Sequence, residues 1–299
     1  MISDIWCELY EKLTITLKDQ FDILVEETKK YFLESANQIG ITILAYLLFC
    51  ITFYYVIAYL KGGSDYGHIK NMKRVLFVTA HPDDECMFFG PAILKLSQRS
   101  DCELFLLCLS TGFRNKYNQG SLRKNELWDS CDILGIPEGN ITVCQNSLLP
   151  DDPAVHWKES VIADIILHHM ESLMIDTIIT FDKFGVSRHA NHSSIFYATA
   201  YLCMEKKLPE NSKAYALDSI NILRKYSSLF DVPISYLLSS YWYIITLKQA
   251  RIIQKAMKAH KTQYAWFRKL FIIFSRYVVI NTLKEIEIVD LELDLLLNE

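Results

Sequence analysis

From residue 35 to residue 60 the chain carries no charge, and residues 39–60 are apolar almost without interruption. About 20 helical residues cross the hydrocarbon core of a bilayer, so this run predicts one transmembrane helix over 39–60. The competing reading is a buried core helix. Tyr54, Tyr55 and Tyr59 gather toward one end, where an aromatic belt would meet the interface. A cleaved signal peptide fits poorly, because the run starts late and follows an acidic, amphipathic segment at 1–38. That segment reads as an amphipathic helix or as a partner-binding arm.

After a polar linker at 61–71 the pattern changes. Short apolar runs at 74–80, 103–110, 141–143 and 177–181 predict strands, and helical spacing at 85–98, 122–134, 155–172 and 192–207 predicts helices between them. Gly135 and Pro137 mark the end of the second helix. Two more strands are expected over 215–223 and 241–247. Strands separated by helices predict an α/β fold, a Rossmann-like, mostly parallel, doubly wound sheet occupying one domain at 72–284. Active sites in such sheets lie beyond the carboxyl ends of the strands. The loops after Ala80, Ser110 and Phe181 are therefore the first places to look for chemistry.

Composition narrows the setting. Of 299 residues, 51% are hydrophobic and 22% charged, which excludes a disordered chain. Eight cysteines occur singly with no C-x-x-C pair, arguing against a disulfide scaffold or a thiolate zinc ribbon and for a reducing compartment. The net charge of −4 conceals blocks: eight acids and four bases at 1–38, nine bases and no acid at 247–284, and six acids with no base at 285–299. Lys248, Arg251, Lys255 and Lys258 share one helical face, and an aromatic, apolar segment from Trp266 to Phe274 follows with Arg268 and Lys269. These basic C-terminal helices either lie on anionic lipid or pack on the sheet with their cations in water. Lys61, Lys70, Lys73 and Arg74 after the apolar run outnumber Lys29 and Lys30 before it, which favours a cytosolic C-terminal domain. A glycan at the Asn191 sequon would crowd the candidate site, which points the same way. No nucleic-acid partner is expected, and no G-x-G-x-x-G follows the first strand.

The first loop reads AHPDDE at 80–85. Carboxylates are costly to bury unless paired or bound to a cation. His81 and Asp84 are candidate ligands for zinc or a similar divalent ion, with Asp83 left as a base or an outer group. The alternative is that Asp83 or Asp84 merely caps the next helix. His189 and His192 project from one side of a helix start, and either would complete a two-His, one-carboxylate set with an open position. His168 and His169 lie in a helical pattern without an acidic motif and read as structural. Arg114, Lys116 and Arg123 either meet a phosphorylated or hydroxyl-rich substrate or belong to ordinary surface, with Arg123 pairing to Glu126.

AHPDDE at 80–85 together with H-x-N-H at 189–192 resembles the LmbE-like zinc deacetylases. Longer blocks at 130–137, 149–153, 219–226 and 266–277 resemble the membrane-anchored branch of that family acting on N-acetylglucosaminyl-phosphatidylinositol, and the likeness covers roughly 40–284. The resemblance implies that His81, Asp84 and His192 hold zinc, that Asp83 is the general base, and that His189 steadies the oxyanion or serves as an acid. It places Arg123 near substrate and Asn191 in an orienting position that bacterial relatives give to aspartate. It also implies hydrolysis of the N-acetyl group in an early step of GPI-anchor biosynthesis, by a single-pass protein of the endoplasmic reticulum membrane with its catalytic domain in the cytosol. Arg188 stands where the family has glycine, and Lys183-Phe184 where a glycine pair is usual, so Arg188 either strains the loop or reaches a substrate phosphate. The remaining alternatives are a zinc deacetylase of another N-acetylated sugar conjugate and a non-catalytic membrane scaffold.

Overall fold

The computed structural model describes residues 2–61, 69, 72–112, 119–152 and 155–288. Most of the expected linker and of the acidic tail, with Arg114 and Lys116, lies outside them. Met1–Phe49 forms one unit and Cys50–Glu299 another.

The first unit is helical. Helix α1 runs Ile2–Tyr55, 54 residues, and passes position 38 without a break. No proline occurs before Pro82 and Gly40 is the first glycine, so nothing in the sequence interrupts the hydrogen-bond ladder. Ile39, Ile41, Ile43 and Leu44 are each more than half exposed. Such a face suits lipid, and among the described residues this is the one helix long and apolar enough to cross a membrane.

The second unit begins with the last turns of α1 and a π-helical segment Val56–Lys61. Cys50, Tyr54, Ile57 and Ala58 are buried, and Tyr54 donates from its hydroxyl to the Ile245 carbonyl at 2.8 Å. Tyr54, Ile57 and Ala58 pack with Val232, Trp242, Ile244 and Val279. One face of the expected span's final turns therefore rests on protein.

A seven-stranded sheet follows: β1 Arg74–Thr79, β2 Glu103–Cys108, β3 Ile141–Val143, β4 Thr177–Phe181, β5 Lys213–Leu217, β6 Tyr241–Ile244 and β7 Ile280–Glu285, in the order β3-β2-β1-β4-β5-β7-β6. The pairings from β3 through β5 are parallel; β7 is antiparallel to both β5 and β6. β1 and β4 are buried along almost their whole length, as sheets covered on both faces require. The covering helices are α2 Asp84–Met87, α3 Gly90–Leu96, α4 Gln119–Leu134, α5 Glu159–Ser172, α6 Gly185–Arg188, α7 Ala190–Met204, α8 Ile222–Lys225, α9 Val232–Leu238, α10 Leu247–Ala259 and α11 Trp266–Phe274.

The α/β, mostly parallel architecture agrees with the sequence pattern, and several details depart from it. The helix expected over 85–98 is split between α2 and α3, because Pro91 lacks an N–H and fits only a helix's first turn. Asn281 fills the break: it donates to the Phe88 carbonyl at 2.7 Å and accepts from Ala92 N at 3.0 Å. The strand expected over 215–223 stops at Leu217, and Asn221 caps α8 by accepting from Arg224 N. Thr246 and Gln249 form a capping box that ends the next strand and starts α10. Beyond the two basic helices lies β7, a strand the sequence pattern does not predict, inserted between β5 and β6. The two basic helices part company. α10 buries Ala250, Ile253, Ala256 and Met257 and leaves Lys248, Arg251, Lys255 and Lys258 exposed, whereas α11 buries only Phe271 and Ile272.

Candidate active site

The sheet order reverses direction between β1 and β4, the point where open α/β sheets leave a crevice at their carboxyl ends. Beyond those ends lies a cleft of about 580 Å³, lined among others by His81, Asp83, Asp84, Arg123, His189 and His192. The loop after β1 brings the first three, the loop and helix after β4 the two histidines, and α4 the arginine.

Asp84 Oδ2 accepts the backbone N–H groups of Ala80 and His81 at 3.0 and 2.8 Å, which fixes the carboxylate. Its Oδ1 lies 3.4 Å from His192 Nε2. His192 is oriented from behind: Nδ1 donates to the Gly185 carbonyl at 3.0 Å, and the ring stacks on Phe181 at 3.9 Å. Gly185 has φ +58°, and a Cβ there would come within 2.6 Å of the His192 Cβ, so only glycine allows this approach. His192 Nε2 is buried and without a hydrogen-bond partner. His81 presents Nδ1 3.7 Å from Asp84 Oδ2. Its Nε2 lies 3.1 Å from both Asp151 Oδ1 and the Asn191 amide, either of which can hold the far side of the ring. His81, Asp84 and His192 thus converge ligand atoms within 4.8 Å of one another. The orphaned Nε2, the preset carboxylate and the buttressed imidazoles could hold a divalent cation, and their donor types suit zinc.

Asp83 occupies the cap position of α2 but makes no side-chain capping bond, so the capping alternative does not account for it. Its φ of 109° lies in a region costly for any residue but glycine. Burial raises its pKa, and Arg268, with Nε 2.9 Å from Oδ2, works against the rise. Burial also disfavours charge on Asp84, but His192 and His81 outweigh it and hold that carboxyl below its ordinary range. His189 is lowered to about 4 by burial, then by His192 and His81. Its Nδ1 accepts from Asn191 N at 3.3 Å, so the neutral ring carries its proton on Nε2. Arg123 donates to the carbonyls of Gly112 and Pro82 and sits 3.5 Å from Asp151. Its expected partner Glu126 instead accepts from Thr262 N and Oγ1 at 2.9 and 2.6 Å.

Arg188 is exposed and absent from the cleft lining, with φ +58°, the conformation that favours the glycine usual at that position. Asn191 is fully buried between the histidines. His168 and His169 lie on α5, outside the cleft lining. The residues to which the sequence assigned no place at this site are Asp151, Lys225, Arg268 and His260. Asp151 sits in a quoted block without a role of its own, and Arg268 and His260 lie more than 170 residues from AHPDDE. Nothing local marks them as neighbours of that motif.

Residues 76–203 match the PIG-L family, GlcNAc-PI de-N-acetylase. A Bos taurus protein named N-acetylglucosaminyl-phosphatidylinositol de-N-acetylase is 48% identical over 211 residues, 70% of this chain and 82% of that protein. A Dictyostelium discoideum protein named as a probable enzyme of the same kind is 36% identical over 245 residues, covering 72% of this chain and 94% of its own. Among solved structures, N,N'-diacetylchitobiose deacetylase from Pyrococcus horikoshii aligns over 78% of this chain and 91% of its own, at 15% identity and a TM-score of 0.53, a likeness of fold. With that fold, and with this extent of identity to proteins so named, the chain belongs to the PIG-L family of de-N-acetylases.

Proposed function

We propose that this chain hydrolyses the acetamide of N-acetylglucosaminyl-phosphatidylinositol, giving acetate and glucosaminyl-phosphatidylinositol in an early step of GPI-anchor biosynthesis. The observation that carries the reading is the His81–Asp84–His192 set beside Asp83, in a chain 48% identical to a relative bearing that name. Zinc, or another divalent ion, is the cofactor the donor set suits, with those three residues as its ligands. A zinc ion held there supplies Lewis acidity, polarising the acetamide carbonyl and acidifying water.

The chain's own groups do the rest. Asp83 takes a proton as water oxygen bonds to the carbonyl carbon, and burial, by raising its pKa, makes its carboxylate the stronger base for that step. His189 offers a neutral Nε2–H to the oxyanion; losing such a donor costs about 10²–10³ in rate. The C–N bond then breaks, and Asp83 returns its proton to the amine of the leaving glucosamine. Arg123 and Lys225 line the cleft and are cations that can pair with a phosphodiester.

The chain is anchored in the endoplasmic reticulum membrane by the long apolar helix α1, with the catalytic unit in the cytosol. The cation imbalance around the apolar run supports this, as does the burial of Asn191, whose sequon could not carry a glycan in the folded protein. The test is acetate release from acetyl-labelled N-acetylglucosaminyl-phosphatidylinositol by the purified, detergent-solubilised chain. Release abolished by a chelator and restored by zinc is expected. No release from folded, metal-loaded protein, or equal turnover of lipid-free N-acetylated sugars, would overturn the reading.

A further inference from the structure

Three helices beside the cleft expose large apolar side chains. On α8, Ile222 and Leu223 are 70% and 82% exposed; on α9, Leu237 and Leu238 are 79% and 71% exposed. On α11, Trp266 is 72% exposed, and Ile273 is also bare. These helices are tied together by direct contacts. Tyr226, just after α8, meets Phe271 of α11 edge-on at 6.2 Å between centroids. Arg224 of α8 pairs with Asp231 at the start of α9, and Arg276 pairs with the same aspartate 3.1 Å away. Tyr236 of α9 packs edge-on against Phe53, in the last turns of α1, at 5.4 Å.

Two of them, α8 with the residue that follows it and α11, also build the cleft's rim, since Lys225, Tyr226, Phe267, Arg268 and Phe271 all line it. Their charges have one sign at the surface. The only acid within 222–238 is Asp231, which is buried and doubly paired, and 247–284 has none, leaving Lys225 and Lys269 near the apolar face. An apolar face edged by cations, in contact through Phe53 with the last turns of α1, suits an anionic bilayer surface in polarity and charge.

We propose that α8, α9 and α11 form a collar that seats the cleft on the lipid surface. The collar's leucines and Trp266 enter the boundary between headgroups and acyl chains, and Lys225 and Lys269 meet lipid phosphates. The lipid tails of the substrate stay in the leaflet and only its headgroup rises into the cleft. The last point rests on the substrate assigned above; the docking itself does not.

The test uses full-length protein in vesicles of phosphatidylcholine and phosphatidylinositol. The variant Leu223→Ser/Leu237→Ser/Leu238→Ser leaves the cleft lining intact. Its turnover of vesicle-borne N-acetylglucosaminyl-phosphatidylinositol should fall about tenfold or more, with turnover of the water-soluble headgroup lacking diacylglycerol unchanged. Equal rates on the vesicle substrate, or equal loss on both substrates, would overturn the collar. A second readout needs no activity. Brominated phosphatidylcholine should quench the part of the tryptophan emission that Trp266→Phe removes. Absence of that quenching would overturn the proposal and leave the face to a protein partner. Quenching without turnover of either substrate would retain the collar and discard the substrate reading.

Discussion

Asp84 and Glu85 are adjacent in the chain, both are buried, and each faces a histidine, yet they build different kinds of site. Asp84 directs one oxygen at two backbone N–H groups and keeps the other for His192, whose Nε2 has no hydrogen-bond partner. Glu85 has both oxygens occupied: Oε1 accepts from His260 Nε2 at 2.7 Å and from Ser130 at 2.6 Å, and Oε2 accepts from Asp83 N at 3.0 Å. Neither Glu85 nor His260 lines the cleft. Both clusters place a carboxylate and a histidine within ligand distance, with Cys86 completing the second. Proximity of donors therefore does not separate a cation site from a structural ion pair. What separates them is a carboxylate oxygen not taken up by a close hydrogen bond and a path from solvent, since His81, Asp84 and His192 line the cleft. The closed cluster still serves the open one, because Glu85 holds the backbone of Asp83 in its unusual conformation.

Asp84→Asn should give the largest effect: loss of bound metal and of turnover in a folded protein, read by metal analysis and acetate release. A variant that keeps stoichiometric metal would break the distinction. Asp83→Asn should keep the metal and lose about 10²–10⁴ in turnover, the usual contribution of a general base. Full activity would remove Asp83 from that role.

Glu85→Gln probes the closed side. Stripping one member from a buried pair costs about 3–5 kcal/mol, so the variant should melt far lower while its folded fraction still binds metal. Burial opposes both charges, but mutual attraction holds Glu85 below its ordinary 4.5 and His260 above its ordinary 6.5. Glu85's contribution is complete above its ordinary value and is lost as pH falls through its lowered folded value. His260's is complete below its ordinary value and is lost as pH rises through its raised one. The stability gap between wild type and variant should accordingly peak between about pH 4.5 and 6.5 and narrow on both sides. Denaturant melts across pH would read it, and a flat gap would deny the ion pair its stabilising role.

The smallest effect lies on the open side, in the loop that delivers His192. Val186 and Arg188 both have positive φ there, at 61° and 58°. Arg188→Gly should relieve about 1 kcal/mol of backbone strain, raising the melting temperature slightly at unchanged turnover. A loss of turnover would instead show that the exposed guanidinium touches substrate.

Much of this was legible along the chain. AHPDDE and H-x-N-H marked His81, Asp83, Asp84, His189 and His192, because buried carboxylates at a strand end need a cation or a partner, and the parallel half of the sheet followed from apolar runs alternating with helical spacing. β7 was missed because its residues carry no strong alternation, and its place between β5 and β6 depends on partners some 40–70 positions away. The basic helices show the same limit. Periodicity gave α10 and α11 each an apolar face, but only the fold put α10 against the core and left α11 bare.

The sequence by itself determined the elements with local causes: the long apolar helix, the strand ends, the caps, and the donor types in each loop. Tertiary structure decided which donors share a site, which stay unpaired, and which apolar faces are covered. His260 reaches Glu85 across 175 positions, and Asp151 reaches His81 across 70. Propensity, periodicity and motif spacing act over a few residues. Whether a buried carboxylate meets a proton donor, a cation or an empty lone pair depends on which distant segment the folded chain brings beside it.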